Sequence, residues 1–383
     1  RVGSLLGITM AKTAKAAKST KKAPPSLDAK EIVAQIVAEA QTVQKKINSR
    51  QKPVMKLPIR ALSNVKYRPA VGHFQLAGKH KIRTLTVSTV RTFAQTLKML
   101  AMSKELIGSG RHSTKREAYY QAYNWGPAAF GSQEESDTVM DDAEAMLGVN
   151  RERLHFRADE HGGAISGELI VIDKDRRTGE PVEIDCARFG SGAYSIPTIV
   201  EDLKFRTKAK FLLAIETKGM FERLVEEEFA DTHHCILVSM GGVPSRACRR
   251  FIRRLADEKD LPVYVFTDGD PYGYFNIYRT LKVGSGNAAH LNEFFCVPQA
   301  QFIGITPDDI DRYQLPTHPL KEVDIKRAKD AVKNDPFIRH HKPWQLAVEK
   351  ILAKGVRVEQ QALAKHGLEF VAETYLPEKL SDP

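Results

Sequence analysis

The chain has 383 residues, 42% hydrophobic and 27% charged, with a formal net charge of +11. That length asks for two domains plus extensions, and the composition is that of a soluble globular protein with apolar material for more than one core. It holds no run of about 18 apolar residues, which excludes a transmembrane helix; its four cysteines, Cys186, Cys235, Cys248 and Cys296, form no C-x-x-C pair, which excludes a zinc knuckle or disulfide framework and fits a reducing cytoplasm.

Residues 1–26 form a basic tail. Arg1, Lys12, Lys15, Lys18, Lys21 and Lys22 lie there with no acid among them, so about half of the net charge belongs to the tail. Such a tail can hold nucleic acid through phosphates, although a solvated, disordered end is the simpler reading. The apolar stretch within Arg1–Thr9 is too short for a signal peptide. Residues 27–70 are expected to hold an amphipathic helix and a linker. Ser26 or Asp28 can cap a helix on which Ile32, Ile36, Ala40, Val43 and Ile47 recur at helical spacing. That stripe must pack on the body or dock on a partner.

Residues 71–158 read as a compact mixed segment. Residues 82–90 favour extended structure, and helical periodicity follows through Phe93, Leu97, Leu100 and Leu106. After Gly108-Ser109-Gly110 a second helix starts near Ser113, with Glu117 set close to a capping-box position, and a third run spans Ser136–Met146. Helix, turn, helix with small flanking strands is the outline of a winged-helix DNA-binding module. Residues 159–205 alternate, carry Gly163 and Gly167, and turn at Asp175–Gly179, which predicts a β-hairpin linker. From residue 206 to 383 short buried strands, Phe211–Ile215, Cys235–Ser239, Val263–Thr267 and Phe302–Ile305, alternate with helices near 219–229, 246–258 and 274–282. This predicts an α/β domain with a parallel sheet, followed over 321–375 by a helical extension.

Two constellations carry chemistry. Glu216 directly follows the first of these strands, and Asp268 and Asp270 directly follow the third. Ligands of open α/β sheets gather at the carboxyl ends of the strands, so the three acids are expected to meet there. Clustered carboxylates repel one another unless a cation neutralises them, and hard oxygen ligands suit Mg²⁺ together with substrate phosphates. The second constellation is a basic helix, Arg111 to Tyr120. Arg116 and Tyr120 are four residues apart and share a face, as do Lys115 and Tyr119 one residue earlier. A guanidinium beside a phenol favours the phenolate and can bind a phosphate under attack, which points to transesterification. Spacing alone does not choose between the two tyrosines.

In order, the basic helix with its Tyr pair, the stretch Ile215-Glu216-Thr-Lys-Gly-Met-Phe-Glu-Arg-Leu224 and the stretch Val265-Phe-Thr-Asp268-Gly-Asp270-Pro-Tyr-Gly273 resemble the A subunit of topoisomerase VI. The pattern Trp344…Glu349…Gly355…Glu359…Ala362-Leu363…Tyr375-Leu-Pro-Glu-Lys379 extends the resemblance to about residues 75–380. The meiotic double-strand-break protein is a close relative of that family. The resemblance implies a catabolite-activator-like winged-helix domain that carries the nucleophile, followed by a Toprim α/β domain. It implies Tyr120 as nucleophile with Arg116 as helper, Glu216, Asp268 and Asp270 as Mg²⁺ ligands, and a transient double-strand break with 5′-phosphotyrosyl links. It also implies a homodimer in which one chain's tyrosine works beside the other chain's metal, and an ATPase B subunit in an A2B2 heterotetramer, for which the helix at 29–47 is the candidate docking element. A cytoplasmic, nucleoid-associated location goes with such a role. Arg111, Lys115, Arg249 and Arg250 are expected DNA contacts, the last two on a basic face shared with Arg253 and Arg254. One departure stands out: many relatives carry Gly-Lys-Gly-x-Pro-Asp where this chain has Met240-Gly-Gly-Val-Pro-Ser245.

Other features carry less. His233-His234-Cys235 and His340-His341 do not have metal-ligand spacing. Gly284-Ser-Gly-Asn287 lacks the Lys-Ser/Thr of a nucleotide loop. Besides the topoisomerase reading, three others stay open at this point: a meiotic-type break-maker, a Toprim nuclease that uses water, and a DNA-binding protein without catalysis.

Overall fold

The computed structural model describes residues 22–23, 27–157, 162–286 and 288–381. Most of the basic tail, Ser26 and Asn287 therefore lie outside the described residues. Lys22 and Ala23 do not: Lys22 pairs with Asp260 at 3.0 Å, and the Ala23 N–H donates to Asp257 at 2.8 Å. No helix among the described residues is long and apolar enough to cross a membrane.

The first half of the chain is helical with small β-ribbons. Helix α1 (Ala29–Asn48) starts at Asp28, whose carboxylate accepts from the Glu31 N–H in a full capping box. Its apolar stripe packs on the body: Ile32 and Ile36 are buried in a core with Met99, Leu100, Val139 and Met140. Val43 packs with Met55 and Phe93, while Ile47 at the end of the stripe stays 54% exposed. Two antiparallel ribbons follow, β1 (Val54–Pro58) with β4 (His80–Thr84) around β2 (Val65–Arg68) with β3 (His73–Leu76). Helix α2 (Val90–Ser109) ends at Gly110 in the left-handed conformation, as a helix C-terminus favours. The short strand β5 (Ser113–Thr114) leads into α3 (Lys115–Gln121), and α4 (Gln133–Leu147) packs beneath both helices. Strand β6 (Phe156–Arg157) returns to pair with β5.

Strand β7 (Ala164–Gly167) corrects the hairpin reading of the linker. It leaves that segment and pairs antiparallel with a strand of the α/β sheet, while β8 (Leu169–Lys174) and β9 (Pro181–Asp185) form the expected hairpin. The switch happens at Gly167, whose φ is +106° and where a Cβ would lie 2.4 Å from the Cys235 carbonyl oxygen; only glycine lets the two backbones approach so closely there. Strand β10 (Tyr194–Ser195) joins the outer edge of β7, and β11 (Lys204–Thr207) completes a three-stranded sheet with β8 and β9.

The α/β domain is built on β12 (Phe211–Ile215), helices α5 (Lys218–Glu226) and α6 (Phe229–His233), β13 (Cys235–Ser239), α7 (Arg246–Lys259) and β14 (Val263–Phe266). A π-helical stretch (Gly273–Tyr278), α8 (Arg279–Val283), α9 (Asn292–Phe295) and β15 (Gln301–Phe302) follow. Strands β12 to β15 are parallel, in the order β13-β12-β14-β15, with β7 and β10 antiparallel beyond β13. Alternate residues of one strand face opposite layers, since Leu212 and Ala214 enter one core and Leu213 and Ile215 the other. This is why the strands read as unbroken apolar runs. The extension comprises α10 (Pro307–Arg312), β16 (His318–Pro319), α11 (Glu322–Asn334), α12 (Pro336–His340), α13 (Lys342–Lys354), β17 (Val356–Arg357) and α14 (Leu376–Ser381). It wraps back over the sheet, bringing Trp344 into one core and Tyr375 into the other.

An ionic network joins the two halves. Arg246, at the start of α7, donates to Glu144 at 2.6 Å and to Glu152 at 2.9 Å. Glu144 also takes Arg151 at 3.1 Å. Burial alone would raise the Glu144 carboxyl, but the two guanidiniums hold it down at about 2.

Candidate active site

Glu216 and Asp268 emerge from the carboxyl ends of adjacent strands, β12 and β14, as the sequence predicts. The Asp268 N–H donates to Glu216 Oε2 at 3.0 Å, and the Glu216 N–H to the Phe266 carbonyl at 3.0 Å. Asp270 accepts from the Gly273 N–H at 2.7 Å. Burial pushes the Glu216 carboxyl up to about 8, helped by the negative charges of Asp268 and Asp270. Burial likewise raises Asp268 to about 6, with Asp270 adding to it, and it raises Asp270, with Asp324 adding to it. Three carboxyls thus sit where their own charges are unfavourable, the electrostatic condition a divalent cation relieves. Gly273 keeps this edge open, because a Cβ there would lie 3.2 Å from Glu216 Oε2 and 2.7 Å from the Asp268 carbonyl oxygen. Among the described residues no group of three or more acid, His or Cys side chains is gathered closely enough to hold a metal ion by itself. Carboxylates placed like these would bind a hard cation only with water and phosphate completing its shell.

The cation leads to a measurable expectation. A carboxyl whose folded pKa is raised stabilises the fold fully below its ordinary value near 4.5, and that stability is lost as pH rises towards about 8. A Mg²⁺ ion held here would bind the ionised form and oppose the loss. The melting temperature is therefore expected to rise more with Mg²⁺ at pH 8 than at pH 6, as followed by calorimetry. An equal rise at both values would contradict binding at these carboxylates.

The extension completes the edge, through contacts that sequence reasoning missed. Val358 forms a backbone bridge to Gly269, the Gln360 N–H donates to Asp268 Oδ1 at 2.8 Å, and the fully buried Gln360 amide reaches the Phe266 carbonyl at 3.1 Å. Arg357, one residue before the bridge, opposes the upward shifts of Asp268 and Asp270. Gln360 lies beside the noticed Glu359 in sequence, but nothing local marks it.

The structure also separates the two tyrosines. Thr114 rather than Ser113 caps α3: its hydroxyl accepts from the Glu117 N–H at 3.1 Å, and Glu117 accepts from the Thr114 N–H at 2.6 Å. The capping box is thus regular and begins one residue later than expected. Tyr119 packs against the helical core, and its hydroxyl shares a hydrogen bond of 2.9 Å with that of Tyr123, which raises its pKa. Its helical neighbour Lys115 is ion-paired with Asp137 on α4. Tyr120 is 53% exposed, its hydroxyl makes no hydrogen bond among the described residues, and Arg116 is exposed on the same helix face. Arg111 is exposed too, its carbonyl oxygen 2.8 Å from His155 Nδ1. No hydrogen bond, ion pair or ring contact among the described residues joins Tyr120 to Glu216, Asp268 or Asp270.

The basic face expected on α7 needs correction. Arg250 is buried, with Nε and Nη2 each 2.9 Å from Glu201 and Nη1 donating to the Phe294 carbonyl at 3.1 Å. Arg253 is buried on Asp257 and the Cys296 carbonyl. Arg254 is held by Glu258 and by the carbonyls of Val200 and Leu203. Arg249 lies over the Phe295 ring at 5.7 Å. Arg250 and Arg253 therefore face protein and are not open to DNA. The departure at 240–245 is structurally absorbed: Gly242 donates to the Glu216 carbonyl at 2.8 Å, and Ser245 caps α7 by accepting from the Cys248 N–H. The other polar motifs are structural. His234 binds Glu168 at 2.6 Å, Cys235 is buried in β13, and His340 and His341 bond to the carbonyls of Pro336 and Phe337.

Three family models match consecutive parts of the chain. "Type IIB DNA topoisomerase" covers residues 91–156, and "All-beta domain in DNA topoisomerase VI alpha subunit" covers 159–209. The model of the Toprim domain shared by Spo11 and the A subunit of topoisomerase 6 covers 211–380. The fold and acid edge thus fall in the class of type IIB DNA topoisomerase subunits with a Toprim domain. The chain is 53% identical over 354 residues to the A subunit of type 2 DNA topoisomerase 6 from Methanocaldococcus jannaschii, covering 92% of this chain and 95% of that protein. It is 40% identical to the protein of the same name from Halobacterium salinarum (86% of this chain, 90% of that one) and 38% identical to that of Pyrococcus abyssi (93% and 96%). The chain belongs to the family of type 2 DNA topoisomerase 6 A subunits. It is the DNA-cleaving subunit of a type IIB topoisomerase, an isomerase, and the meiotic reading is not favoured.

Proposed function

We propose that Tyr120 cuts one strand of a DNA duplex by transesterification, against the acid edge of a second copy of this chain. The observation that carries this reading is the separate housing of the two halves of the chemistry. An exposed tyrosine with an unengaged hydroxyl lies on α3, and three mutually repelling carboxylates, Glu216 buried and Asp268 and Asp270 half-buried, lie at strand ends of the other domain. We read the helical part, α2 to α4 with its small strands, as a winged-helix, catabolite-activator-like domain that seats the duplex, with Arg111 on its backbone.

The Tyr120 oxygen attacks phosphorus. The new O–P bond forms as the bond from phosphorus to O3′ breaks; the phenolic proton is given up to solvent and the leaving O3′ takes one from solvent, so that a 5′-phosphotyrosyl link and a free 3′-hydroxyl result. Arg116 favours the phenolate and binds the phosphate under attack. Glu216, Asp268 and Asp270 would hold Mg²⁺, which when bound supplies positive charge to the phosphate and the leaving oxygen. Gln360 keeps Asp268 aimed at the edge through its backbone N–H. The phosphotyrosyl bond conserves the energy needed for resealing, so the break is reversible. Two copies cut two strands, and an ATPase B subunit in an A2B2 assembly drives a second duplex through the gap.

Mixed dimers test the division of labour. A dimer of one Tyr120→Phe chain and one Glu216→Ala chain retains one complete site only if tyrosine and acids come from different copies. Mixing the two variants, each inactive alone, is expected to yield single-strand nicks on supercoiled DNA. Absence of nicking in dimers verified as mixed would contradict the shared site.

A further inference from the structure

We propose that Arg357 is a further catalytic residue, one that grips a non-bridging oxygen of the phosphate at the acid edge while Arg116 holds that phosphate from the tyrosine side. This deepens the proposed function and rests on it. The placement follows from the backbone. Val358 and Gly269 exchange hydrogen bonds of 2.9 and 3.3 Å, and the Gln360 N–H lies 2.8 Å from Asp268 Oδ1. Residues 357–360 therefore run alongside the 268–270 loop, and Arg357 sits where its charge reaches both Asp268 and Asp270.

The guanidinium is incompletely used there. Nη1 donates to Glu359 Oε1 at 3.0 Å, the side chain is 20% exposed, and Nε is buried without a partner among the described residues. A guanidinium offers five N–H donors in a fixed fork. An arginine present only to balance the acids would donate to them directly, yet no hydrogen bond joins Arg357 to Asp268 or Asp270 among the described residues. Glu359 instead anchors Nη1 and leaves Nε without a protein acceptor among the described residues. Carboxylates alone repel a phosphodiester, so a fixed protein cation here lets the anion approach, and a fork binds phosphate oxygens with defined geometry.

The test uses the full-length chain with its ATPase partner and a short duplex of mapped cleavage site, with Arg357→Gln, Arg357→Lys and Glu359→Gln variants. Single-turnover formation of the covalent complex is followed on an ordinary duplex and on one carrying a methylphosphonate at the scissile position, which lacks the charged oxygen. Arg357→Gln is expected to slow cleavage about 100-fold, with duplex affinity and half-saturating Mg²⁺ changed by no more than about twofold, and Arg357→Lys to recover part of the rate. On the methylphosphonate the same Gln substitution is expected to cost less than about threefold, because the oxygen it served is already lost. Glu359→Gln, which frees the fork but keeps it, is expected to have the smaller effect. An undiminished penalty on the methylphosphonate, or a shift in half-saturating Mg²⁺ that accounts for the slower rate, would overturn the proposal and leave Arg357 a neutraliser of the acids. Tyr120→Phe, run alongside, separates the two ideas: cutting retained there sinks the tyrosine mechanism, while the methylphosphonate comparison still reads Arg357 on the cutting that remains.

Discussion

Tyr120→Phe is expected to lower covalent DNA cleavage by at least about 10⁴-fold, the scale seen when a catalytic nucleophile is removed. The substitution removes a single oxygen from a side chain that is 53% exposed and makes no hydrogen bond among the described residues. Folding and duplex affinity should stay near those of the parent, so the loss would fall on chemistry. Tyr119→Phe is the matched control. It breaks the 2.9 Å bond to Tyr123 at the edge of the helical core and should leave most of the cleavage rate. Gel detection of protein-linked DNA after denaturant quenching reads both variants. Equal losses would mean that the aromatic cluster, and not the Tyr120 hydroxyl, is what matters.

The second large effect is expected at the acid edge. Glu216→Ala removes the carboxylate that accepts the Asp268 N–H and sits 6% exposed between two other acids. Cleavage is expected to fall about 10³-fold, as when a preorganised electrostatic contact to a reacting phosphate is lost. The sign for stability is opposite. Without cation, the variant removes a buried charge from a repelling cluster, so the metal-free protein should melt higher than the parent at pH 8, where Glu216 is pressed to ionise. A variant that cuts poorly and yet melts higher would mark a functional carboxylate; one that loses both would mark a structural one.

The strands at 211–215 and 235–239 match the sequence reading residue for residue, because runs buried on both faces leave little doubt about extent. The last strand, expected over Phe302–Ile305, instead covers Gln301–Phe302, with Ile303 and Ile305 still donating to the Val265 and Thr267 carbonyls. The placement of Glu216 and Asp268 at adjacent strand ends was legible because each directly follows a buried apolar run, a local cue to where the strand stops. The basic residues of α7 misled for the converse reason. Their periodicity looks like a surface face, but Arg250 is neutralised by Glu201 far earlier in the chain, while Arg253 and Arg254 pair with Asp257 and Glu258 one turn on and donate to the carbonyls of Cys296, Val200 and Leu203. Gln360 was invisible because its contact is with a loop 92 residues earlier, and Arg357 because it is placed only by the backbone bridge of its neighbour Val358 to Gly269 in that loop. Tyr119 and Tyr120 are told apart by a local contact, the Tyr119–Tyr123 hydrogen bond between residues four apart, together with the packing of Tyr119 on the helical core.

The most direct measurement traps the cleaved complex of the full-length chain with its ATPase partner and Mg²⁺, digests the protein, and sequences the peptide left on the DNA by mass spectrometry. The DNA-linked peptide is predicted to contain residues 117–121 with the modification on Tyr120, attached through the 5′ phosphate. A link to Tyr119, a link through a 3′ phosphate, or cut ends that carry no peptide would contradict the account.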